Sequence, residues 1–413
     1  MTRTTPRKAA NPGPGLPRFR VGHGHAVILL GLLTAFTSPR TTCAAGIELS
    51  GYYENTLQGS YTEEIDPQIL NANKLRLDFG SGFAEQEIEL KADLVAIAYS
   101  GARTFDIEPY LPDAVTAQFR SLGLPVTMSF PGRRLYLDNA YLTWRHGGWR
   151  FRAGRQQLSW GPGYSYNPTD LFHRKDILDP TYEKEGVNAL RLEYRWGIGG
   201  QAVLIAAPGA TPATTGYALR LGTHVTSIGY DVAVTLHQVE DSTSVSPLTL
   251  LPRIQRRRAA GLEFSGELLG LGFWFEGNYN EMENEDDFHR FIAGLDYTLE
   301  NGLYLMAEVL VNDRGDEVKP YPAEDWLANL AYGEPVGAGW LLAGLRKEIS
   351  DLATGSLFLF AAGDGNLMVN PRINVSIAQN ADLTLFGALT TGDEDGAFPP
   401  GLLTLFARGT VYF

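Results

Sequence analysis

The sequence predicts an all-β fold, a transmembrane antiparallel β-barrel of about 18 strands, with about 16 to 20 as the range. Three observations predict it. The carboxy-terminal segment alternates Leu403, Leu405, Ala407, Gly409, Val411 and Phe413 with Thr404, Phe406, Arg408, Thr410 and Tyr412, a strand with one apolar face. No run after residue 45 is apolar enough for a membrane helix, although the chain holds 46 Gly, 19 Tyr and 20 Phe. The amino-terminus carries an export signature, and a membrane protein without apolar helices satisfies its backbone only in a closed sheet.

Arg3, Arg7, Lys8, Arg18 and Arg20 precede an apolar core from Ala26 to Phe36, and a polar stretch then ends in Cys43, Ala44 and Ala45. That order reads as a signal peptide with a long basic leader. Its apolar core is shorter than the roughly 20 residues a spanning helix needs. The expected division is a signal peptide over 1–45 and an outer-membrane barrel over 46–413. Cys43, the only cysteine, follows Arg40, Thr41 and Thr42, which lack the small, leucine-led pattern of a lipidation site. The exported chain therefore has no disulfide. The aromatic carboxy-terminus at Phe413 looks like the signature read by the barrel-insertion machinery of a Gram-negative envelope, which would make that machinery a partner.

Residues 1–45 contain six of the 34 basic residues and none of the 47 acidic ones, so the exported chain has 28 basic against 47 acidic residues, a net charge of −19. Nucleic acid and anionic membrane surfaces bind basic patches and are excluded as partners by this balance.

The chain divides into alternating segments. Leu75, Leu77 and Phe79 alternate with Lys74, Arg76 and Asp78, and Ile88, Leu90, Ala92 and Leu94 with Glu89, Lys91 and Asp93. Leu190, Leu192, Tyr194 and Trp196 alternate with Arg191, Glu193 and Arg195. A charge at every second residue cannot face lipid, so the charged set is expected in the lumen. Short turns fall at His146-Gly147-Gly148, Gly197 to Gly200, Ser227-Ile228-Gly229, Leu269-Gly270-Leu271, Glu300-Asn301-Gly302 and Gln379 to Ala381. Longer polar connections fall near 60–71, 100–132, 161–186, 241–256 and 314–336. Alternating short and long connections give an even strand number with both termini periplasmic. Tyr53, Trp144, Trp149, Trp196, Tyr297 and Tyr412 are placed at strand ends, where aromatic girdles meet the membrane interface.

A barrel of about 16 or more strands encloses an aqueous channel unless something fills it. Before the first strand at Ile47 stands only the signal peptide, so an inward-folded loop is expected to narrow the pore. The best candidate is 161–186, from Gly161-Pro162-Gly163 through Asn167-Pro168-Thr169-Asp170-Leu171-Phe172 to Glu183-Lys184-Glu185-Gly186. Its glycines and prolines fix turns, and Thr169 or Asp170 can cap a helical turn running into Arg174. The loop carries charges of both signs, Lys175 and Asp179 among them. The expected pore-lining or constriction residues are Arg76, Asp78, Glu89, Lys91, Asp93, Arg155, Asp170, His173, Arg174, Asp176, Arg191, Glu193, Arg195, Arg346, Arg372 and Arg408. Alternation with Trp149, Phe151 and Ala153 points Arg155 toward lipid, so a bulge at Gly154 is expected to turn it inward.

The run Gly154-Arg155-Gln156, Trp160-Gly161-Pro162-Gly163, Asn167-Pro168-Thr169-Asp170-Leu171-Phe172 and Glu185-Gly186-Val187-Asn188-Ala189-Leu190-Arg191 resembles porin-like proteins of the alginate-export type. The specific part covers residues 138–195. The resemblance implies a barrel of this size acting as a diffusion channel or polysaccharide-export channel. It does not transfer a substrate: that exporter's lumen is strongly basic, whereas Glu48, Glu54, Glu263, Glu276 and Glu308 are expected here beside Arg220 and Arg290.

The leading expectation is a porin-like channel for small hydrophilic or charged solutes. The alternatives are an export conduit for an extracellular polysaccharide and a non-conducting surface barrel that binds a partner through its loops. No cofactor or metal is expected, because Glu281, Glu283, Glu285, Asp286 and Asp287 lack the spacing of a calcium loop. Arg256, Arg257 and Arg258 read as a patch for lipopolysaccharide phosphates or a solvated strand end. His224 and His237 have no nucleophile beside them in a catalytic pattern, so no enzyme is expected.

Overall fold

The computed structural model describes residues 41–413 apart from 44–45, 63–65, 84–86, 174, 176–182, 212–213 and 399. The proposed signal peptide lies almost wholly outside the described residues. Eighteen long antiparallel strands follow one another around a closed barrel. They are β1 (Ile47–Tyr61), β2 (Gln68–Phe83), β3 (Ile88–Gly101), β4 (Arg133–His146), β5 (Trp149–Gln156), β6 (Val187–Trp196), β7 (Gly200–Ala207), β8 (Gly216–Val225) and β9 (Tyr230–Val245). The second half comprises β10 (Pro252–Leu268), β11 (Leu271–Met282), β12 (Phe288–Thr298), β13 (Tyr304–Asn312), β14 (Gly339–Ser350), β15 (Ala353–Ala362), β16 (Leu367–Ala378), β17 (Ala381–Thr391) and β18 (Leu403–Tyr412). Closure is made by β18 on β1, with Tyr412 opposite Tyr52. Phe413 extends that seam through two backbone bonds to Gly51, 2.9 and 3.0 Å long. Residues Thr41–Cys43 add a short strand against the start of β1.

The period-2 pattern sorts the side chains as expected. On β6, Leu190, Leu192 and Trp196 are 47%, 38% and 45% exposed, whereas Glu193 between them is 0% exposed. A charge that is covered while its apolar neighbours are bare is the inverse of a water-soluble sheet, and marks the outer surface as membrane-facing. Trp144, Trp149, Trp196 and Tyr297 lie on this bare outer face, whereas Tyr412 turns inward against Tyr52, ring centres 6.1 Å apart. Among the described residues no helix is long and apolar enough to cross a membrane.

Turns and loops alternate around the barrel. The six short turns read from the sequence each join two strands, for example His146 to Trp149 and Leu268 to Leu271. The connection expected over 241–256 is mostly strand, because β9 and β10 continue to residues 245 and 252. Their inward side chains satisfy one another there: Thr243 donates to Asp241 at 3.0 Å, and Arg257 pairs with Asp241 at 3.4 Å. The bulge expected at Gly154 is absent from the register, which runs unbroken from Ala140–Arg155 to His146–Trp149. The shift lies on β4 instead, where Asp93 faces Asn139 and Leu94 faces Leu137, leaving Asp138 as the extra residue.

Two helices, which the sequence pattern did not suggest, occupy two of the three longest connections. Helix α1 (Asp113–Ser121) stands in the β3–β4 connection and buries Val115 and Phe119, four residues apart on one face. Helix α2 (Ala323–Tyr332) stands in the β13–β14 connection, buries Ala323 and Trp326, and ends on Gly333 at φ +65°, a conformation that glycine takes without strain. Phe119 and Trp326 belong to one apolar cluster with Val245 of β9, Ile292 of β12, Leu310 of β13 and Phe360 of β15. Helix α2 packs on β9, four strands from the wall it leaves, and α1 reaches it from β3 and β4. The two connections therefore meet across the outer mouth.

Candidate functional site

The connection between β5 and β6, residues 157–186, crosses the barrel interior as a strap. Its base is apolar: Leu158 and Trp160 pack on Ala189 of β6, Val203 and Ile205 of β7 and Ala218 of β8. Trp160 then meets His237 of β9, ring centres 5.1 Å apart. From there three wall carboxylates hold the strap, the first being Glu263 of β10, which accepts from the Thr169 hydroxyl at 2.9 Å. Glu276 of β11 accepts from the Thr169 N–H at 2.7 Å, the Thr169 hydroxyl at 2.7 Å, the Asn167 amide at 2.9 Å and the Gly163 N–H at 3.2 Å. Glu308 of β13 accepts from the N–H groups of Tyr164 and Ser165 at 2.7 and 2.8 Å, and from the Trp274 indole at 2.6 Å. Beyond that point Tyr164 stacks on Phe358 of β15, ring centres 5.4 Å apart. A segment rooted on β5 that reaches β15 has crossed the lumen.

The local sequence explains this course. Gly161 takes φ +87°, and a Cβ there would fall 2.1 Å from Glu276, so only glycine lets the backbone come that close. A Cβ on Gly163 would overlap Tyr166 O at 2.0 Å and Ile292 at 2.2 Å. Asn167 and Thr169 place their polar groups on the buried carboxylate. Asp170 accepts from the Phe172 and His173 N–H groups at 3.2 and 3.1 Å, a local turn in place of the expected helical one.

Burial dominates the electrostatics of the strap. It pushes the Asp170 carboxyl up, opposed by Lys184 at 2.9 Å. It also lowers His173 to about 4, which leaves that ring neutral, and Lys175 to about 8, with Lys175 donating to the carbonyls of Gly163 and Tyr164. The returning limb is clamped at Arg76 of β2, whose guanidinium lies 2.6 Å from Asp78, 2.7 Å from Asp93, 2.8 Å from Asp138 and 3.0 Å from Glu183. Lys91 adds a contact to Asp93 at 3.4 Å. Arg155 keeps the outward register of Ala140, yet its guanidinium reaches Glu185 of the strap, 3.8 Å away. Arg174 and Asp176 lie outside the described residues.

Below the strap, toward the short turns, the lumen wall on β4 to β8 is rich in arginine. Glu193 is met by Arg191 at 3.0 Å, Arg150 at 3.6 Å and Arg195. Arg145 pairs with Glu89, and Arg220 with Glu263 at 2.7 Å. A cavity of about 470 Å³ opens between this wall and the underside of the strap, lined by Trp160, Arg191, Gln201, Arg220, Asp231 and Glu263. On another part of the wall, Arg372 and Arg408 cover the Phe386 ring at 4.7 and 4.9 Å, and Arg408 lies 3.8 Å from Glu54. Arg346 projects on the inward face of β14 near its exposed lower end.

The strap's anchors on the wall have no local sequence signal. Glu276 and Glu308 were readable as lumen-facing, but nothing local in the sequence pairs them with residues 163–169, over a hundred positions away. Among the described residues no group of three or more His, Cys, Asp or Glu is arranged to hold a metal ion.

A closed eighteen-stranded barrel, bare and apolar outside, charged within and crossed by an inward loop, has the architecture of a bacterial outer-membrane porin. No protein-family model matches the chain, and no curated protein sequence matches it. Solved structures do resemble it. Acinetobacter baumannii OccAB1 aligns over 91% of this chain and 99% of its own, at 9% identity and a TM-score of 0.57. OprD from Pseudomonas aeruginosa aligns over 89% and 94%, at 9% identity and a TM-score of 0.55. Pseudomonas aeruginosa OccK11 (OpdR) aligns over 89% and 96%, at 12% identity and a TM-score of 0.54. At such identities the likeness is one of fold.

Proposed function

We propose that the protein is an outer-membrane channel for small hydrophilic solutes, charged ones included, and that the strap sets its narrowest passage. The observation that carries this reading is the strap itself, bound to the far wall by Glu276 and Glu308 above an arginine-lined chamber. Charged side chains in a narrow passage set the local potential, and the set Arg150, Arg152, Arg191, Arg195 and Arg220 outweighs Glu193, Asp231 and Glu263 on this wall, favouring solutes with negative groups. Lys91, Asp93, Arg76 and Asp78 belong to the clamp that fixes the strap, so their role in passage is indirect. Polymer export fits less well, since a broad conduit requires the strap to leave two buried carboxylates without partners.

The remaining parts follow from the same reading. Residues 1–45 direct export, Phe413 presents the barrel to the insertion machinery, and the apolar outer face contacts membrane lipid and lipopolysaccharide. The test is reconstitution of the folded protein in a planar lipid bilayer with a salt gradient. Stable open steps with a reversal potential on the anion side support the reading. A folded, heat-modifiable barrel that never conducts overturns it and favours a surface-binding role.

A further inference from the structure

Helix α2 is seated in the mouth with polar atoms left unsatisfied. Oδ2 of Asp325 and the indole N–H of Trp326 are buried without hydrogen-bond partners, although Trp326 is itself only 3% exposed. The charges around Asp325 are mostly of its own sign. Asp316, Glu324 and Glu334 act on it with their own negative charge, and Arg314, the cation of this connection that opposes them, is spent on Thr243, Ser244 and Glu285. Among the described residues, the elements packed against α2 offer no unpaired cation either. On the β9 side Asp241 is paired with Arg257, α1 presents Val115 and Phe119 to the cluster while its Arg120 holds Glu108, and Arg290 of β12 binds Glu334 at 2.8 Å. The same Arg290 donates to Tyr166 of the strap, so the seat of this connection is tied to the strap.

We infer that α2 is a pH-responsive lid, seated across the mouth while Asp325 is protonated and released when Asp325 ionises among its acidic neighbours. The inference goes beyond the channel reading by giving that channel a regulated entrance. Burial, followed by Asp316 and Glu324, raises Asp325 to about 7, even though it stands in the first turn of a helix, where the dipole favours a negative charge. The docked state therefore holds this proton more tightly than the released state, whose carboxyl has the ordinary value near 4. Docking is strongest below about pH 4, weakens as pH rises, and stops weakening above about pH 7.

The test is thiol labelling of the full barrel in membranes, with Leu327→Cys reporting on the lid and Val318→Cys, exposed in the same connection, correcting for intrinsic thiol reactivity. The expected ratio of the two labelling rates rises at least ten-fold from pH 4.5 to pH 8. In the Asp325→Asn background the ratio is expected to remain low throughout, and Asp325→Ser serves where the Asn variant fails to show the heat-modifiable folded form. A ratio that does not change with pH, or that changes equally with and without Asp325, overturns the inference. The labelling does not depend on ion flow, so a barrel that never conducts would refute the channel reading and leave this result standing.

Discussion

At the level of single residues, the structure separates charges that hold the strap from charges that face the passage. Glu276 accepts four hydrogen bonds from the strap, and a hydrogen bond contributes about 0.5–1.5 kcal/mol net. Glu276→Ala leaves the N–H groups of Gly163 and Thr169 without acceptors, and we expect the strap to detach there and the single-channel conductance to rise roughly two-fold or more. Glu276→Gln keeps the shape and one acceptor oxygen, so a smaller rise is expected on the same recording. Arg191 lines the cavity from β6 and is paired with Glu193 at 3.0 Å. Arg191→Glu reverses a charge in the chamber, and the reversal potential in a salt gradient is expected to move toward cations while the conductance changes little. An unchanged reversal potential would remove Arg191 from the passage.

At the level of elements, the strap's base is a small apolar core inside a polar lumen. Leu158 is 1% exposed against β6 to β8, and Leu158→Ala is expected to loosen the strap by about 2–5 kcal/mol. Faster protease cleavage within residues 161–186 of the folded barrel would report this, and cleavage at the parental rate would show that the base is not what seats the loop. The strands and the strap were legible in the sequence because both are local patterns. Arg191, Glu193 and Arg195 alternate with bare apolar residues, and Gly161-Pro162-Gly163 with Asn167-Pro168-Thr169-Asp170 announces a structured loop. The lid helices were not legible. Val115 and Phe119, like Ala323 and Trp326, make short apolar faces whose partners lie on β9 to β17, and no local period states that such a face turns inward. The bulge at Asp138 escaped for a similar reason: it brings Asp138 and Asn139 to the same lumen side so that both meet the Arg76 and Asp93 network, a requirement set by another strand.

At the level of the whole molecule, the barrel is closed by one seam and filled from within by two constructions, the strap in the middle and the lid at the mouth. The seam depends on the last strand: β18 pairs with both β17 and β1, and Phe413 adds two backbone bonds to Gly51. Deleting Phe413 is expected to lower the fraction of chain reaching the heat-modifiable folded form on a denaturing gel, and an undiminished fraction would show that the seam closes without it. The acidic balance of residues 46–413 coexists with a chamber wall rich in arginine because many of the acids either pair within the wall, as Glu193 and Glu263 do, or stand on the β11–β12 connection, as Glu283 and Asp286 do. The most direct test of the account is single-channel recording of the parent barrel beside Glu276→Ala in the same bilayer. The strap model predicts discrete steps that become larger and less ion-selective in the variant. Equal conductance and selectivity in the two, with both folded, would contradict a passage set by the strap.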